Sequence, residues 1–576
     1  MTAVKRDILY PTDFGRLKYG QEFLVRDRFG SEISLKGVDA IAQILKLEGV
    51  GIQSCFPSTP LIDPIRNVGI RTIMTRQERG AIDIASGYGR VSNGKKIGVS
   101  VMQEGVGIEN SFAGIAHAFA DAVPLLVLPG QYDQHRIGIY PNFFDAMHVF
   151  KTVSKWVDRI NFVDRIPEMM RRAFTFLRNG RVGPVVLEVP NDVAGGELGD
   201  NFNYSPVKGY RTSADPRDVK VVARAILNAK HPIIRAGEGV LYSEAWDELR
   251  ELAELAQIPV MTTIKGKSAF PEDHPLSLGY GGCTATKTVN HFLTKSDLVF
   301  SIGSSLTSWW LDAPIPPGKT IVQLTIDEFD VNKDQMNDYV ILGDAKLVIR
   351  QLIDEVNKTS GGRAENKDLI QEIGRVKDEW LKEWMPKLTS REVPINPYRV
   401  FWDFMQTVDR KNTIVTPDSG NPRDQLAPFY ESLVPRGYVG WGNATTLGFS
   451  LGAAIGAKLA EPQKMVVNFM GDASIGMTGM DFETAAREKI PILTVVLNNS
   501  VLSGYGTGTQ DMNPSKYKLY GDYAKLAEAL GGYGETVQNP DEIIPAIGRA
   551  KKAMGSGVPA LLNVISKEEL AISKYW

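Results

Sequence analysis

Residues 471–499, GDASIGMTGMDFETAAREKIPILTVVLNN, decide the fold of this chain. An apolar run at 465–470 precedes the stretch and a second apolar run at 492–497 lies near its end, so the spacing predicts a strand, a helix and a second strand. A right-handed βαβ unit brings the ends of both strands to one edge of a parallel sheet. We therefore expect Asp472 and Asn499 to lie close together.

These two side chains are candidate metal ligands. Carboxylate and amide oxygens beside the free N–H groups of a helix start suit a magnesium ion that holds a diphosphate. The alternative is an ordinary βαβ turn in which Asp472 is only the cap of a helix.

Length and composition exclude several classes of protein. A chain of 576 residues predicts several domains, and its net charge of −2 gives no electrostatic reason to bind nucleic acid or an anionic membrane. Cys55 and Cys283 are the only cysteines, which leaves neither a disulfide framework nor a cysteine-based zinc site. The sequence shows no signal pattern and no apolar run long enough to cross a membrane, so we expect a cytoplasmic protein.

Strand and helix patterns alternate along most of the chain, which predicts an α/β fold of three doubly wound parallel-sheet domains. The last ten residues end in aromatic side chains and suggest a lid over bound substrate, with a disordered tail as the alternative. The predicted segments are an N-terminal arm (1–35), a first domain (36–195), a central domain (214–357) and a third domain with a C-terminal tail (390–576).

Four motifs follow one another in a recognisable order. They are RQERGAIDIASGYGR (76–90), NSFAGIAHAFADAVPLLVLPGQ (110–131), NATTLGFSLGAAIGAKLA (443–460), and GDASIGM (471–477) with NNS (498–500). After residue 35 the chain resembles the superfamily of acetolactate synthase, oxalyl-CoA decarboxylase and 2-hydroxyacyl-CoA lyase. The resemblance implies pyrimidine-binding, central and diphosphate-binding domains, with thiamine diphosphate (ThDP) and Mg²⁺ as cofactors.

Glu78 is the activating acid that this resemblance implies. ThDP reacts through C2 of its thiazolium ring, after a carboxylic acid hydrogen-bonded to N1′ of the aminopyrimidine converts that ring to its imino tautomer. A glutamate among Ile73, Met74 and Ile82 is expected to be buried and able to exchange a proton with N1′. A surface salt bridge with a neighbouring arginine is the alternative.

The other implied cofactor contacts come from turns of the first and third domains. In the family, the acid and the diphosphate site belong to different subunits, so we expect at least a homodimer, and a homotetramer as the full assembly. Asp472, Asn499 and the carbonyl oxygen of Val501 are the implied Mg²⁺ ligands, and Leu447 is the wedge that bends the cofactor. The implied cofactor-binding residues are Pro57, Glu78, Gly420, Asn421, Thr445, Thr446, Leu447, Gly471, Asp472, Ala473, Ser474 and Asn499.

Three segments suggest the branch of the superfamily. Residues 303–309 lack the arginine that flavin-using synthases carry near this strand end, so FAD is not expected. Residues 500–508 differ from the synthase continuation, and the helix at 474–485 looks closer to the CoA-dependent branch. We therefore expect a ThDP-dependent lyase that cleaves a 2-hydroxyacyl-CoA to an aldehyde or ketone plus formyl-CoA. ADP in the central domain is a further option, with Asp327 near its ribose.

Gln103 and Glu104 occupy a turn that is unusual for relatives and are expected to face the reacting carbon. In the lyase reaction Glu104 would accept the proton of the 2-hydroxyl group and Gln103 would bind the developing oxyanion. Glu104 at a helix N-terminus for purely electrostatic reasons is the alternative. Surface solvation is the better expectation for the cations that could bind CoA, which are Arg136, Arg423, Lys516 and Lys518.

Other functions stay open at this point. One is a carboligase of the acetolactate synthase or glyoxylate carboligase type that acts on free 2-oxo acids. Another is a decarboxylase of the oxalyl-CoA type. A third is a catalytically silent nucleotide-binding or scaffold protein.

Overall fold

A computed structural model describes residues 35–198, 202–440, 442–502 and 518–576. The predicted N-terminal arm lies almost wholly outside these residues. The chain divides into two compact units. Unit 1 contains the described residues up to Gly89 together with Gly94–Tyr210, and unit 2 contains Arg90–Asn93 with Arg211–Trp576.

Unit 1 is built on a parallel sheet covered by helices. Its strands are β1 (Leu35–Lys36), β2 (Ile52–Cys55), β3 (Arg71–Met74), β4 (Gly98–Met102), β5 (Leu125–Gln131), β6 (Trp156–Arg159), β7 (Val185–Pro190) and β8 (Glu197–Leu198). Its helices are α1 (Gly37–Leu47), α2 (Ile62–Asn67), α3 (Glu78–Val91), α4 (Val106–Asn110), α5 (Phe112–Ala120), α6 (Ala146–Val149), α7 (Ile166–Arg178) and α8 (Asn191–Gly195). The six-stranded sheet has the order β3-β2-β4-β5-β7-β6 and every pairing in it is parallel, while β1 pairs antiparallel with β8.

Unit 2 begins with a second six-stranded parallel sheet, in the order β11-β10-β9-β12-β13-β14. Its strands are β9 (Pro232–Ala236), β10 (Val260–Thr262), β11 (Ser277–Tyr280), β12 (Leu298–Ile302), β13 (Thr320–Thr325) and β14 (Tyr339–Leu342). Its helices are α9 (Pro216–Asn228), α10 (Glu238–Tyr242), α11 (Trp246–Ala256), α12 (Lys287–Lys295), α13 (Ala345–Ser360) and α14 (Lys367–Leu388).

Glycines in the turns after β9 and β12 allow these two turns to pack closely. A β carbon on Gly237 would lie 2.3 Å from the Gly303 carbonyl oxygen, and one on Gly239 would lie 2.6 Å from the Gly303 α carbon. Only residues without side chains allow this approach. Tight packing of the two turns therefore accounts for both glycines of Gly237-Glu238-Gly239.

Unit 2 continues with a five-stranded parallel sheet in the order β15-β16-β17-β19-β18. Its strands are β15 (Thr413–Pro417), β16 (Met465–Gly471), β17 (Leu493–Asn498), β18 (Tyr533–Val537) and β19 (Ala560–Ile565). Its helices are α15 (Pro397–Thr407), α16 (Asn421–Leu426), α17 (Phe449–Ala460), α18 (Asp472–Thr478), α19 (Asp481–Arg487), α20 (Tyr523–Ala529) and α21 (Ile543–Gly555).

The predicted βαβ unit is confirmed. Strands β16 and β17 are parallel neighbours, and Gly471 pairs with Leu497 in their register. Both strands are buried apolar runs because the sheet is covered on both faces. This register brings the residues after the two strands to the same edge of the sheet.

The C-terminal residues pack against unit 2. Ser573 Oγ donates to the carbonyl oxygen of Ala285 at 2.6 Å and accepts from Trp380 Nε1 at 3.0 Å. Tyr398 Oη donates to the carbonyl oxygen of Ala571 at 2.7 Å. The disordered tail is therefore wrong, because these hydrogen bonds hold the C-terminal residues within unit 2, and the lid over bound substrate stays a prediction. None of the described helices combines the length and apolar character needed to span a bilayer.

Candidate active site

Glu78 is the first residue of α3, where the chain leaves the edge of the unit 1 sheet after β3. The side chain is only 6% exposed, and its Oε2 accepts a hydrogen bond from Asn110 Nδ2 at 3.3 Å. Arg79, the neighbouring arginine, lies 3.6 Å from Asp83 instead. The structure therefore does not contain the surface salt bridge that was the alternative for Glu78. Among the described residues, the hydrogen-bond partner of Glu78 is the neutral amide of Asn110.

The turn that carries Gln103 and Glu104 lies against Glu78. A β carbon on Gly107 would be 3.0 Å from Gln103 Cβ and 3.6 Å from Glu78 Oε1, so the bare backbone of Gly107 separates the two side chains. We call Glu78, Gln103, Glu104, Gly107 and Asn110 the Glu78 cluster. The structure brings all three predicted catalytic residues into this one region of unit 1.

Glu104 folds against the end of β5. Its Oε2 lies 3.1 Å from the position that a β carbon on Gly130 would take, and the side chain is half-buried. In the part of the chain that the structure describes, the carboxylate makes no hydrogen bond and no ion pair. Pro57, the remaining predicted contact from unit 1, is exposed in the turn after β2.

A buried acid that sequence reasoning missed fixes the end of β5. Glu188 on β7 is fully buried and accepts hydrogen bonds from Gln131 Nε2 at 2.9 Å and Arg159 Nε at 2.7 Å. Burial raises the pKa of the Glu188 carboxyl, and the charge and hydrogen bond of Arg159 act in the opposite direction. The sequence could have pointed to Glu188, because it is a glutamate inside the apolar run 185–190 and a buried charge needs partners.

Asp418 organises the corresponding edge of the third sheet, and sequence reasoning missed it too. The fully buried carboxylate accepts from Gly448 N at 3.0 Å, Ser450 N at 3.0 Å, Ser450 Oγ at 2.6 Å and Ser474 Oγ at 2.7 Å, as well as from the N–H of the next residue. It therefore ties the end of β15 to the starts of α17 and α18. Gly448 has φ +89°, and a β carbon there would lie 2.6 Å from Thr478 Cγ2, so the turn requires glycine.

Asp472 differs from Asp418 in its bonding. It is 5% exposed, and its Oδ1 accepts from Ala473 N at 2.9 Å. Its buried Oδ2 has no hydrogen-bond partner among the described residues. Burial raises the pKa of the Asp472 carboxyl, and the N–H groups of Ala473 and Ser500 act in the opposite direction. An under-bonded buried carboxylate is the expected feature of a cation site.

The turn after β17 closes beside this carboxylate. Asn499 Oδ1 accepts from Val501 N at 3.0 Å, and the N–H groups of Ser500 and Val501 act to lower the pKa of the Asp472 carboxyl. The donor set is one carboxylate, one amide oxygen and one carbonyl, which fits Mg²⁺ better than a softer metal. We call Asp418, Ser474, Asp472, Asn499 and Val501 the Asp472 cluster.

The predicted phosphate and pyrimidine contacts of unit 2 lie on neighbouring turns. Gly420, at φ +83°, and Asn421 form the start of α16, and Ser419 Oγ donates to the carbonyl oxygen of Thr445 at 3.4 Å. Thr446 and Leu447 follow in the turn before α17 and are half-buried. The Ala473 N–H and the hydroxyl proton of Ser474, however, are already donated within the chain to Asp472 and Asp418.

The four cations considered as CoA contacts differ in their surroundings, and surface solvation, which was expected for each, does not hold for all of them. Arg423 is fully buried and paired with Asp424, so solvation was wrong for it. Cys283 Sγ donates to the same Asp424 carboxylate at 3.2 Å, and burial raises the pKa of this thiol to about 12. Arg136 lies over the Tyr140 ring at 4.7 Å. Lys518 is exposed, and Lys516 lies outside the described residues.

Comparison with known proteins agrees with this geometry. Residues 35–155, 219–352 and 418–564 match the N-terminal TPP binding, central and C-terminal TPP binding domains of thiamine pyrophosphate enzymes, thiamine pyrophosphate being another name for ThDP. The chain belongs to the thiamine pyrophosphate enzymes, and the prediction of three parallel-sheet α/β domains is confirmed.

Individual relatives show which kinds of thiamine pyrophosphate enzyme the chain is similar to. The chain is 33% identical over 556 residues to the probable acetolactate synthase large subunit of Methanocaldococcus jannaschii, covering 92% of each chain. It is 28% identical over 534 residues to the acetolactate synthase isozyme 3 large subunit of Escherichia coli K12, covering 88% of this chain and 91% of the relative. It is also 28% identical over 576 residues to the glyoxylate carboligase of Escherichia coli O157:H7, covering 94% of each chain.

These relatives correct the expected activity. The assignment to 2-hydroxyacyl-CoA lyases, with a CoA thioester as substrate and formyl-CoA as product, is wrong, because the similar proteins are acetolactate synthases and a glyoxylate carboligase. The error has a physical origin. The branch was inferred from three short segments at 303–309, 474–485 and 500–508, whereas a substrate is selected by a site whose side chains come from separate parts of the chain.

Proposed function

We propose that the protein is a ThDP- and Mg²⁺-dependent carboligase that acts on free 2-oxo acids and works as at least a homodimer. One combined observation carries the proposal. A chain similar to acetolactate synthases over nine-tenths of its length retains both a buried, amide-bonded Glu78 and an under-bonded Asp472.

The chain supplies the groups that such a cofactor needs. Asp472, Asn499 and the Val501 carbonyl oxygen would hold Mg²⁺, and the turns at Gly420 and Thr445 would receive the diphosphate and the pyrimidine. When bound, ThDP supplies the electron sink that allows the C1–C2 bond of a 2-oxo acid to break. Glu78 would exchange a proton with N1′ of the pyrimidine.

The proposed reaction balances without a further reagent. The bond between C1 and C2 of the 2-oxo acid breaks and releases CO₂, and its electron pair remains on the acyl carbon. That pair forms a new bond to the carbonyl carbon of an acceptor, whose oxygen takes up one proton. Gln103 would donate a hydrogen bond to the carbonyl oxygen on which negative charge develops.

The test is a substrate panel with the full-length protein loaded with ThDP and MgCl₂. Pyruvate, 2-oxobutanoate and glyoxylate are offered singly, and CO₂ release and the mass of the condensed hydroxy acid are recorded. We expect CO₂ and condensed product in equal amounts from at least one of them. The Glu78→Gln variant serves as the inactive reference.

Two outcomes would contradict the proposal. The first is the absence of CO₂ release from every 2-oxo acid although ThDP is retained. The second is CO₂ release that yields only the free aldehyde, which would indicate a simple decarboxylase. Neither FAD nor ADP is added to the assay, so activity in this buffer would also show that the central domain needs no nucleotide for catalysis.

A further inference from the structure

A cavity of about 240 Å³ lies in unit 2 beside β11, the edge strand of the second sheet. It is bounded by β11, the start of α12, α14, α15 and residues 428–431 after α16. We call it the β11 cavity, and none of its described lining residues belongs to the Glu78 cluster or the Asp472 cluster. An apolar protein cavity of about 150 Å³ is large enough to bind benzene. The β11 cavity therefore has room for a small organic molecule.

Aromatic and aliphatic side chains form one wall of the β11 cavity. Trp380 of α14 is 2% exposed and stacks on Phe429, with ring centroids 4.8 Å apart and an angle of 16° between the rings. The indole N–H of Trp380 is donated to Ser573 Oγ at 3.0 Å, which holds the ring in place. The other apolar lining side chains are Leu278, Leu381, Trp402, Met405 and Pro428. This wall favours a ligand with an aromatic or branched aliphatic body.

Three partly exposed charged side chains also line the cavity. Lys377 Nζ donates to Glu431 Oε1 and Arg410 Nη1 donates to Glu431 Oε2, both at 2.7 Å. The side chains of Lys377, Arg410 and Glu431 are 32%, 26% and 28% exposed, so they lie where the cavity opens to solvent. Burial alone would raise the pKa of the Glu431 carboxyl, but the charges and hydrogen bonds of the two cations outweigh burial and lower this pKa. Two cations therefore share one ionised carboxylate.

The fourth charged lining residue, Glu272, does not cancel this surplus of positive charge. Lys267 Nζ donates to both of its carboxylate oxygens at 2.6 Å, so this buried pair adds no net charge. Among the described residues Arg410 donates only to Glu431, which leaves other N–H groups of its guanidinium for an acceptor. A carboxylate is planar, carries one negative charge and matches the fork of a guanidinium.

We propose that the β11 cavity binds a small monocarboxylate with an aromatic or branched aliphatic body. The ligand carboxylate pairs with Arg410 and neutralises the surplus positive charge, while the apolar body packs against Trp380 and Trp402. A ligand with two negative charges would exceed the surplus, and a neutral ligand would leave it in place. The proposal goes beyond the carboligation, because it concerns a second binding site and no step of the reaction.

A ligand-observed NMR titration of the full-length protein, loaded with ThDP and MgCl₂, tests the site. Phenylacetate is the probe, and phenylacetamide, which has the same body without the charge, is the neutral reference. We expect phenylacetate to bind with a Kd of about 1 mM or lower, within reach of a ligand of this size. Phenylacetamide should bind at least about tenfold more weakly, and Arg410→Gln should weaken phenylacetate by about the same factor, since each change removes a charged hydrogen bond.

Matched variants show whether the effect belongs to Arg410. Lys411→Gln removes an exposed positive charge from the next residue and should bind phenylacetate as the wild type does. Arg410→Lys keeps the charge without the planar fork, so its affinity should lie between those of the wild type and Arg410→Gln, and it carries the test if Arg410→Gln unfolds. No binding of phenylacetate to the wild type, or equal affinities in the wild type and the Arg410 variants, would overturn the proposal. The titrations contain no 2-oxo acid, so their failure would leave the carboligase proposal standing, and a failure of CO₂ release would leave the cavity proposal standing.

Discussion

Carboxylates of the Asp472 cluster and of the Glu78 cluster accept very different numbers of hydrogen bonds. In the Asp472 cluster, Asp418 accepts five hydrogen bonds, which come from the next residue and from the starts of α17 and α18. In the Glu78 cluster, Glu78 accepts a single bond of 3.3 Å and Glu104 accepts none among the described residues. The saturated carboxylate has no capacity left for a ligand and fixes the shape of its turns. The sparsely bonded carboxylates keep the capacity that chemistry requires.

The same contrast exists inside the Asp472 cluster. Asp418 and Asp472 are both buried and both follow parallel strands, yet only Asp472 has an oxygen without a partner. We therefore propose that Asp418 fixes the shape of the turns and that Asp472 binds a cation. The predictions below test this division by its effect on activity, beginning with the largest.

Replacing Glu78 by Gln should lower kcat by about 10³-fold at saturating cofactor, within the usual range for a group that exchanges a proton. Glutamine keeps a hydrogen bond to N1′ but cannot exchange the proton. ThDP affinity, measured by fluorescence titration, should therefore change little. Glu109→Gln is the matched control, and an undiminished kcat in Glu78→Gln would remove Glu78 from the mechanism.

Replacing Asp472 by Asn should raise the Mg²⁺ concentration needed for half-maximal activity by about 10²-fold, the scale seen when the surroundings of a metal are disturbed. The amide keeps the shape of the side chain and removes the charge that balances the cation. ThDP retained after gel filtration at graded MgCl₂ reports the change. Asp522→Asn, at the exposed cap of α20, should behave as wild type. An equal Mg²⁺ requirement in both variants would contradict the cation role of Asp472.

Replacing Asp418 by Asn should weaken ThDP binding by about tenfold and lower the thermal midpoint by several degrees. The amide nitrogen would face hydroxyl and N–H donors, and each buried donor left unpaired costs about 1–3 kcal/mol. Ser474→Ala removes only one of the five bonds and should have a smaller effect. Thermal unfolding with and without ThDP measures both variants. A larger loss in Ser474→Ala would refute the central role of Asp418.

Replacing Lys267 by Met should affect stability and leave kcat per bound cofactor unchanged. The buried Lys267 Nζ donates to both carboxylate oxygens of Glu272 at 2.6 Å, and Glu272 also accepts from Ser432 N at 2.6 Å. Breaking such a pair costs about 3–5 kcal/mol, because the remaining charge stays buried. Urea unfolding should show this loss and its partial recovery in Lys267→Met/Glu272→Gln. An altered kcat would show that the pair acts on the site and not only on the fold.

Sequence patterns predicted the elements around the site better than its chemistry. The run of apolar residues on either side of 471–491 identified β16, β17 and their parallel pairing, because the period and length of a buried strand are local properties. Glu78 and Asp472 were singled out as well, since each follows a strand within a motif, and the structure buries both side chains. Their roles stay predictions. The substrate branch was not, because it was inferred from short local segments, and substrate selection depends on side chains that come together from separate parts of the chain.

By itself the sequence determined the three parallel-sheet domains, and its motifs indicated a thiamine pyrophosphate enzyme, since buried strands and short motifs depend on residues close together along the chain. Only the tertiary structure decided that Asp418 is saturated, because its partners Gly448 and Ser474 are 30 and 56 residues away. It likewise decided that Arg423 is buried and that the C-terminal residues pack on unit 2. Such features depend on which distant groups meet, and a hydrogen bond between them leaves no periodic pattern in the sequence.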